Sequence, residues 1–316
     1  MTKILWLYSS KGTPINYNHW FHMDFVRILK ERKDVQVMPY GYLLKKYYND
    51  LTPIEWDSKI TLKDLKKVFD FDVIIMDNKD RRFKYDSGGS WLPKDFNDFN
   101  LTPKILMEGD YHAKAKWHLD GKIDAFILRH KSQFIKCQKD YSLKKCFWLP
   151  CSVDTEVFKP NTQYNRKELI FYLGTLNKKV YPYRYEAHKI LQEKNLINSG
   201  RIFEQAYIKN LQSYICHLSG SSYFHIDPSK NFEIMASGSV LFTNEDNKSG
   251  IKDLFPQNSY CTYKSLDSSD VEKKAHKILN DYGYRQSLIQ NALKCIKEKH
   301  THQIRARELI NIIKQI

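Results

Sequence analysis

The sequence predicts an α/β protein with two doubly wound domains, each a parallel sheet covered by helices, and a helical C-terminus. Short apolar runs alternate with amphipathic stretches, as they do in βαβ units. This series occurs twice, on either side of a polar, proline-bounded stretch near 155–167. From Ser268 onward, apolar residues recur at helical spacing. The length of 316 residues also suits two domains, which we place at 1–160 and 161–316.

The first domain begins with an apolar run at 4–8, which predicts its first strand. Further strands are predicted at 35–39, 72–76, 104–107, 125–128 and 146–149, and helices at 19–33 and 62–69. Residues 79–100 interrupt the pattern with a polar segment in which Gly88, Gly89 and Pro93 predict a loop. Strands separated by helices favour a parallel sheet.

The second domain repeats the pattern. Strands are predicted at 169–173, 223–226 and 240–243, helices at 183–194 and 232–237, and a helical segment from 268 to the end. Proteins with such sheets bind their ligands at the edge formed by the carboxyl ends of the strands. The segments that follow the strands are therefore the candidate binding segments.

The chain is basic, with 51 Lys and Arg against 36 Asp and Glu and a formal net charge of +15. Most of these cations are lysines, and they are spread over both halves of the chain. This distribution favours the interpretation that the excess charge reflects amino-acid composition and lies on a solvated surface without a binding role. A polyanionic partner stays open as the alternative, because such a charge raises encounter rates with nucleic acid or an anionic membrane.

No targeting or membrane segment is predicted. No apolar run approaches the ~18 residues that a membrane span needs, and the first residues resemble a strand rather than a signal peptide. We therefore expect a cytoplasmic protein. The six cysteines include no CxxC pair, which favours free thiols.

Three passages are more specific than the composition. They are LPCSVDTEVFKP at 149–160, LGTLNKKVYPYR at 173–184 and DPSKNFEIMASGSVLFTNED at 227–246. Together they resemble the group 1 glycosyltransferases, and more narrowly the CgeB-like, spore-maturation-type branch. The family's interdomain pattern P-x-G-V-D-x-x-x-F-x-P corresponds to 150–160, with Cys151 and Ser152 in place of x-G, and its donor-site pattern F-E-x-x-A-x-G corresponds to 232–238.

The resemblance implies the GT-B fold, in which two Rossmann-like domains face a central cleft. It implies an N-terminal domain on the acceptor side and a C-terminal domain that binds a nucleotide-diphosphate sugar, most often a UDP-sugar. The implied reaction transfers a sugar to a hydroxyl acceptor. Because the sequence shows no set of metal ligands, we expect this reaction to need neither a metal ion nor another cofactor.

Gly174 and Thr175 end a predicted strand without a bulky side chain, so backbone amides there can approach a pyrophosphate. An ordinary turn is the alternative. Lys178 and Arg184 follow, and a guanidinium can bind two phosphate oxygens at once. The alternative for both is a solvated basic loop.

Asn231 and Phe232 lie at the start of a predicted helix, where unpaired N–H groups and the helix dipole favour an anion. Glu233 occupies the position that, in similar enzymes, accepts hydrogen bonds from the ribose hydroxyls; an acidic residue that complements the dipole is the alternative. Retaining members of the family often carry another Glu eight residues earlier, where this chain has His225. His225 either faces the sugar or is an ordinary strand-end histidine, and the stereochemical outcome is left open.

Asp110 and His112 follow a predicted strand of the first domain, in a segment that faces the donor sugar in similar enzymes. Either could act as the general base for an acceptor hydroxyl, and Asp110 could instead cap a helix that begins near Ala113. No metal site is predicted, since neither His19 with His22 nor Asp110 with His112 has the convergent third ligand that a metal site requires.

Two other functions remain open at this point. The charge and the aromatic, basic segment at 81–91 would suit a transferase that modifies hydroxymethylated DNA bases. His225 in place of Glu would suit a nucleotide-sugar-binding protein without turnover. The acceptor is a glycan, a protein, a small molecule or modified DNA.

Overall fold

The structure is a computed structural model that describes residues 1–8, 25–41, 49–78, 92–108, 123–140, 145–163 and 165–316. It divides into two compact units, one formed by Met1–Pro150 with Arg305–Ile316 and the other by Cys151–Ile304. Each unit is built around one parallel sheet.

The first unit contains a seven-stranded sheet with the strand order β3-β2-β1-β4-β5-β6-β7. The strands are β1 (Thr2–Tyr8), β2 (Val35–Gly41), β3 (Ile54–Glu55), β4 (Val73–Asn78), β5 (Lys104–Glu108), β6 (Ala125–Leu128) and β7 (Lys145–Trp148). Its helices include α1 (Leu62–Val68) and α2 (Lys131–Asp140), and residues 25–30 are also helical. In register, Ile4 pairs with Val73 and Leu5 with Ile74.

Both faces of this sheet are buried, as the continuous apolar runs predict. Trp6 and Ile75 belong to the core on one face, whereas Leu5 and Ile74 belong to the core on the other, and all four are fully buried. Successive residues of a strand point to opposite faces, so a run without polar residues fills both cores.

The second unit contains a five-stranded sheet with the strand order β12-β11-β10-β8-β9. The strands are β8 (Lys167–Leu173), β9 (Ile197–Gly200), β10 (Tyr214–Leu218), β11 (Val240–Asn244) and β12 (Cys261–Tyr263). The helices are α3 (Pro182–Glu193), α4 (Glu204–Ser213), α5 (Lys230–Ala236), α6 (Ile251–Leu254), α7 (Ser268–Asn280) and α8 (Tyr282–Lys299). Asp267 and Asp281 cap α7 and α8, each accepting a hydrogen bond from a backbone N–H of the first turn.

The last helix, α9 (His302–Ile313), begins in the second unit and ends in the first. Ala306, Leu309 and Ile310 are buried in the core of the first unit, on the face that contains Trp6. Burial of a leucine or isoleucine side chain, such as those of Leu309 and Ile310, contributes about 1.5–3 kcal/mol and favours the return of the chain to the first sheet. The units therefore differ from the predicted domains at 151–160 and at 305–316.

The structure confirms the six strands predicted in the first domain, the strands near 169–173 and 240–243, and the helical C-terminus. Of the predicted helix at 19–33, residues 25–30 are helical and 19–24 lie outside the described residues. The segment at 92–100 consists of turns and bends, as predicted for the loop at 79–100, whose residues 79–91 also lie outside them.

The strand predicted at 223–226 is wrong. Tyr223 and Phe224 lie in an exposed turn, and the strand between β8 and β11 is the fully buried Tyr214–Leu218. Both segments are apolar and favour strand locally, and only pairing with β8 and β11 distinguishes them. Six further elements of the structure were not predicted from the sequence: β3, β9, β12, α2, α4 and α6.

No helix in the described part of the chain is both long and apolar enough to cross a membrane.

Candidate active site

The candidate site lies at the carboxyl ends of three neighbouring strands in the second unit. The segments after β8, β10 and β11 begin at Gly174, Ser219 and Glu245, and α5 follows the second of them. Parallel strands deliver their following segments to one edge of the sheet. This brings together residues that are more than 50 positions apart in the sequence.

Gly174 directly follows β8 and has a φ of 120°, a conformation that side-chain-bearing residues rarely adopt. Its N–H donates to the carbonyl of Gly200, 3.1 Å away, so the turn is tied to the end of β9. A Cβ atom on Gly174 would lie 3.2 Å from Nζ of Lys230. The glycine thus allows a cation to approach the backbone closely. The predicted end of the strand before Gly174 is confirmed, and its role toward a pyrophosphate stays a prediction.

Lys230 is the first residue of α5, and its ammonium group donates to the carbonyl of Leu173 at the end of β8. The Nζ atom also lies 5.5 Å from the ring centroid of Tyr172. Burial, with a smaller contribution from the nearby positive charge of Arg184, lowers the pKa of Lys230 to about 7, although the charge of Glu233 opposes the shift. A bound anion would therefore stabilise a positive charge that the protein itself disfavours.

Arg184 is the third residue of α3 and is 5% exposed. Its guanidinium carbon lies 3.3 Å from the ring centroid of Tyr181 and 5.5 Å from that of Tyr172. Stacking against aromatic rings holds a guanidinium in one orientation. The Nε atom is buried without a hydrogen-bond partner among the described residues, which is unusual for a charged donor.

Thr175 and Lys178 are less directly placed for an anion. The Thr175 hydroxyl accepts a hydrogen bond from Nη2 of Arg201, 2.6 Å away, and its carbonyl accepts one from the Tyr172 hydroxyl. Lys178 is 67% exposed and forms an ion pair with Glu186 at 2.8 Å, which raises the pKa of Lys178.

Asn231 and Phe232 lie in the first turn of α5 and are almost fully buried. Their N–H groups already donate to the carbonyls of Pro228 and Ser229, and the Phe232 ring packs between Phe255 and His300. The Phe232 side chain is therefore part of the core. The Asn231 Oδ1 accepts from the Ser219 hydroxyl at 2.6 Å, and its Nδ2 has no partner among the described residues.

Glu233 lies on the same helix as Lys230 and is partly exposed. Its Oε2 accepts a hydrogen bond from the hydroxyl of Tyr207, which α4 supplies. Tyr207 is 7% exposed and makes an edge-on contact with Phe158. The carboxylate is thus held in one orientation beside the Lys230 ammonium group.

His225 lies in the segment between β10 and α5. Its Nδ1 is 2.9 Å from Oδ2 and 3.0 Å from Oδ1 of Asp246, which follows β11. The histidine side chain is 32% exposed and the aspartate side chain 6% exposed.

Asp110 and His112, the predicted general bases, lie outside the described residues, so their roles stay predictions. Among the residues that the structure describes, no group of three or more His, Cys, Asp or Glu side chains could hold a metal ion.

Four residues of the site were not predicted from the sequence: Lys230, Tyr207, Arg201 and Asp246. Lys230 and Asp246 lie within the donor-site passage 227–246. Lys230 stands three residues before Glu233 and Asp246 follows a predicted strand, so the sequence contained a signal for both residues. Tyr207 and Arg201 gave no local signal, because β9 and α4 were not predicted and only the fold brings them to the site.

The arrangement combines a glycine turn, two cations and a carboxylate within one sheet edge. Such a set can bind a molecule that carries phosphate charge next to paired hydroxyl groups.

Residues 168–311 match a family model described as glycosyl transferase-like. A comparison with curated protein sequences gives no significant match.

Several solved structures share the fold over nearly the whole chain. Sucrose-phosphate synthase from Thermosynechococcus elongatus is 11% identical, with a TM-score of 0.68 and coverage of 100% of this chain and 99% of the other. A glycosyltransferase from Rickettsia africae is 10% identical, with a TM-score of 0.71 and coverage of 99% and 98%. Anabaena HepE in complex with UDP and glucose is 9% identical, with a TM-score of 0.68 and full coverage of both chains. The chain therefore has the GT-B fold, as the resemblance implies.

Proposed function

We propose that the protein is a glycosyltransferase that moves a sugar from a nucleotide-diphosphate sugar to a hydroxyl acceptor. One observation carries this proposal: the segment that matches the transferase family, 168–311, contains Gly174, Arg184, Lys230 and Glu233, and these residues converge on one edge of its sheet. In this proposal the unit Cys151–Ile304 binds the donor, and the unit that contains Met1–Pro150 provides the acceptor side.

The donor diphosphate binds to Gly174, Lys230 and Arg184. The Gly174 turn gives a phosphate access to the backbone, and a Cβ atom there would crowd Nζ of Lys230 at 3.2 Å. The partly neutral Lys230 gains a full charge when a phosphate approaches. Arg184 adds a guanidinium whose orientation is fixed by Tyr181.

Glu233 binds the ribose of the nucleotide. A carboxylate can accept from two hydroxyl groups at once, and Tyr207 already holds Oε2 by one hydrogen bond. Since Lys230 and Glu233 lie three residues apart on α5, the ribose and the diphosphate can be bound by one helix.

The chemical contribution of this site is electrostatic. As the bond from the sugar to the diphosphate breaks, negative charge grows on the phosphate oxygens, and fixed positive groups stabilise it most effectively in a partly buried site. Arg184 and Lys230 supply that charge without a metal ion. Asp110 or His112 of the first unit would take the proton from the acceptor hydroxyl.

The donor is proposed to be a UDP-sugar, supported by the HepE structures, which contain UDP, UDP with glucose, or UDP-glucose. The 150–160 and 232–238 passages support an assignment within the group 1 enzymes to the CgeB-like branch. The acceptor class stays open among glycans, proteins, small molecules and modified DNA.

A thermal-shift panel of UDP-, GDP-, ADP- and dTDP-sugars tests the donor assignment. A ligand present at 100 times its Kd stabilises the folded state by about 2.7 kcal/mol, which is a clear rise in melting temperature. We expect UDP-sugars to raise the melting temperature, and Glu233→Ala to reduce the rise. Release of UDP that depends on an added acceptor then identifies turnover, whereas donor binding without any release or transfer would favour a binding protein.

A further inference from the structure

Two of the six cysteines lie against each other in the first unit. The Sγ atoms of Cys137 and Cys146 are 3.3 Å apart, and all six cysteines of the chain are free thiols. Cys137 belongs to α2 and Cys146 to β7. The donor site described above uses neither residue, and both lie outside the segment that matches the transferase family.

The fold brings the two sulfurs together because α2 packs on the sheet beside β7. In the chain α2 lies between β6 and β7, and these strands are paired with Phe126 opposite Cys146. Cys137 is part of the core that also contains Phe126 and Leu128, and Cys146 packs against this core from its own strand. A helix and a strand therefore position the two sulfurs, and both elements belong to one βαβ unit.

The two thiols differ in their access to solvent. Cys137 is fully buried, whereas Cys146 is partly exposed on β7, the last strand in the order of the sheet. An oxidant in solution therefore reaches the Cys146 sulfur, and Cys137 is shielded from a direct encounter with it.

The contact between the sulfurs also makes the two thiols unequal as acids. The Cys137 thiol donates to the Cys146 sulfur, and this hydrogen bond lowers the pKa of Cys146, although partial burial opposes the shift. The same hydrogen bond raises the pKa of Cys137, and burial adds to the rise. The thiolate is the nucleophilic form of a cysteine, so the accessible cysteine is also the more reactive one.

We propose that Cys137 and Cys146 form a dithiol that hydroperoxides oxidise, in which Cys146 reacts with the oxidant and Cys137 then closes an intramolecular disulfide. Hydrogen peroxide is the simplest substrate of this class. The disulfide ties α2 to β7. This oxidation goes beyond the proposed sugar transfer, in which neither cysteine takes part.

The chemistry takes two steps. The Cys146 thiolate attacks one oxygen of the peroxide, the O–O bond breaks, and a sulfenic acid and hydroxide are formed. The Cys137 sulfur then attacks the Cys146 sulfur; the S–S bond forms, the S–O bond breaks, and the hydroxyl group leaves with the Cys137 proton as water. Overall, two thiols and one hydrogen peroxide give one disulfide and two water molecules.

Closure of the disulfide needs little movement. The sulfurs of a disulfide are about 2.0 Å apart, so the two Sγ atoms must approach each other by about 1.3 Å. Rotation of both side chains can supply such an approach while α2 and β7 stay in place. Because the second sulfur already touches Cys146, the sulfenic acid is consumed before further peroxide oxidises it to the sulfinic acid.

The test treats the full folded chain with hydrogen peroxide at neutral pH and then blocks the remaining thiols with N-ethylmaleimide. Trypsin cuts at lysines between Cys137 and Cys146, and chymotrypsin cuts at aromatic residues between Cys146 and Cys151, so each thiol can be assigned. Mass spectrometry without reduction should find the Cys137 and Cys146 peptides joined, two hydrogen atoms lighter than their sum. Dithiothreitol should separate them.

Three variants assign the roles of the two thiols. In Cys137→Ala no linked peptide should form, and dimedone should label Cys146 as the sulfenic acid. In Cys146→Ala the buried Cys137 should stay reduced. Cys295→Ala is the matched control, since Cys295 is also a buried helix thiol and its Sγ lies 3.8 Å from the carbonyl oxygen of Leu254; it should form the linked peptide like the wild type. Melting temperatures report the folding of each variant.

The reduced wild type gives a further measurement. N-ethylmaleimide should label Cys146 at least about tenfold faster than Cys295, because Cys146 is more exposed and has the lower pKa. Equal labelling rates, oxidation of Cys146 to the sulfinic acid without a linked peptide, or a linked peptide that forms only in denaturant would each overturn the inference. If Cys137→Ala does not fold, the linked peptide of the folded wild type still decides. None of these outcomes affects the donor assignment.

Discussion

Tyr207 donates its phenolic hydrogen to a carboxylate oxygen of Glu233, a residue 26 positions later in the sequence. The bond joins α4 to α5, and it fixes the carboxylate at the edge of the sheet where the glycine turn and both cations lie. Glu233 is therefore prepared for a ligand before any ligand binds.

Glu233→Ala is expected to weaken UDP binding about tenfold or more while the protein stays folded. Loss of charge-assisted hydrogen bonds costs roughly 1.5–3 kcal/mol, and Glu233 is partly exposed, so its removal leaves no large cavity. Tyr207→Phe should weaken binding less, about two- to fivefold, because the carboxylate stays but is held less firmly. Calorimetry measures both, with the exposed Glu156→Ala as control; unchanged affinity in Glu233→Ala would remove the ribose assignment.

Gly174→Ala is expected to lower both stability and donor affinity. Alanine at a φ of 120° is strained by about 1–3 kcal/mol, and its Cβ would press on the Lys230 ammonium group. Gly283→Ala is a matched control that should raise stability. Its Cβ would lie at an ordinary 3.7 Å from Asp281, and alanine is more favourable than glycine in the helix α8 by about 0.8–1 kcal/mol. Melting temperatures and UDP titrations report both effects, and a Gly174→Ala variant with full affinity would contradict the close approach of a phosphate.

Donor affinity should fall as pH rises through 7, because the pKa of Lys230 is about 7 in the free protein. Above that pH the ammonium group is largely neutral, and a diphosphate must bind together with a proton. The affinity for a UDP-sugar then decreases by up to tenfold per pH unit, whereas below pH 6 Lys230 contributes no further dependence. Lys230→Met should bind more weakly at pH 6 and lose this slope. Lys178→Gln should keep it, since that lysine is exposed and its pKa is raised.

The lowered pKa of Lys230 also makes the stability of the folded protein depend on pH. The pKa of Lys230 lies below the ordinary lysine value of 10.5, so the unfolded chain binds a proton that the folded protein lacks between pH 7 and 10.5. The destabilising effect of burying Lys230 is therefore complete below pH 7, and it decreases as pH rises toward 10.5.

Asp227 behaves in the opposite way. Burial is the main cause that raises its pKa from 3.8 to about 7; a hydrogen bond with Ser249 opposes the rise and the charge of Asp246 adds to it. The folded protein therefore keeps a proton that the unfolded chain has lost. The stabilising effect of that proton is present at low pH and is lost as pH rises through 7. Between pH 5 and 8 this amounts to about 2–3 kcal/mol.

Asp227→Asn should therefore reduce the fall in melting temperature between pH 5 and pH 8. At pH 8 the melting temperature of the variant should rise relative to that of the wild type. At this pH the wild-type carboxylate is charged, and its buried Oδ2 lacks a partner within the described residues. The exposed Asp253→Asn should show the wild-type fall. An equal fall in melting temperature for the wild type and Asp227→Asn between pH 5 and pH 8 would contradict the raised pKa of Asp227.

Transfer activity is expected to survive chelation. The cations Arg184 and Lys230 offset the charge of the departing diphosphate, so no divalent ion is needed for that step. Activity is measured after dialysis against EDTA, with and without added Mg²⁺ or Mn²⁺. Complete loss that only a metal restores would show that the phosphate site is incomplete as described.

The sequence predicted the two parallel sheets because a strand buried on both faces must be apolar throughout, and such runs are visible locally. It also predicted the glycine turn at Gly174 and the helix that carries Glu233, since both follow from short patterns in one segment. The function proposed for that segment rests on three sequence passages that occur in the order typical of the family, and the match of 168–311 to a glycosyl transferase-like family model supports it.

Other features depended on contacts between distant segments. Tyr214–Leu218, and not 223–226, became the strand because it pairs with β8 and β11. Arg201 and Tyr207 joined the site because β9 and α4 carry them to it, and the last helical turns joined the first unit because that core buries Leu309. The low pKa of Lys230 and the pairing of His225 with Asp246 arise from burial and proximity. These are properties of the packed chain, and no local stretch of sequence encodes them alone.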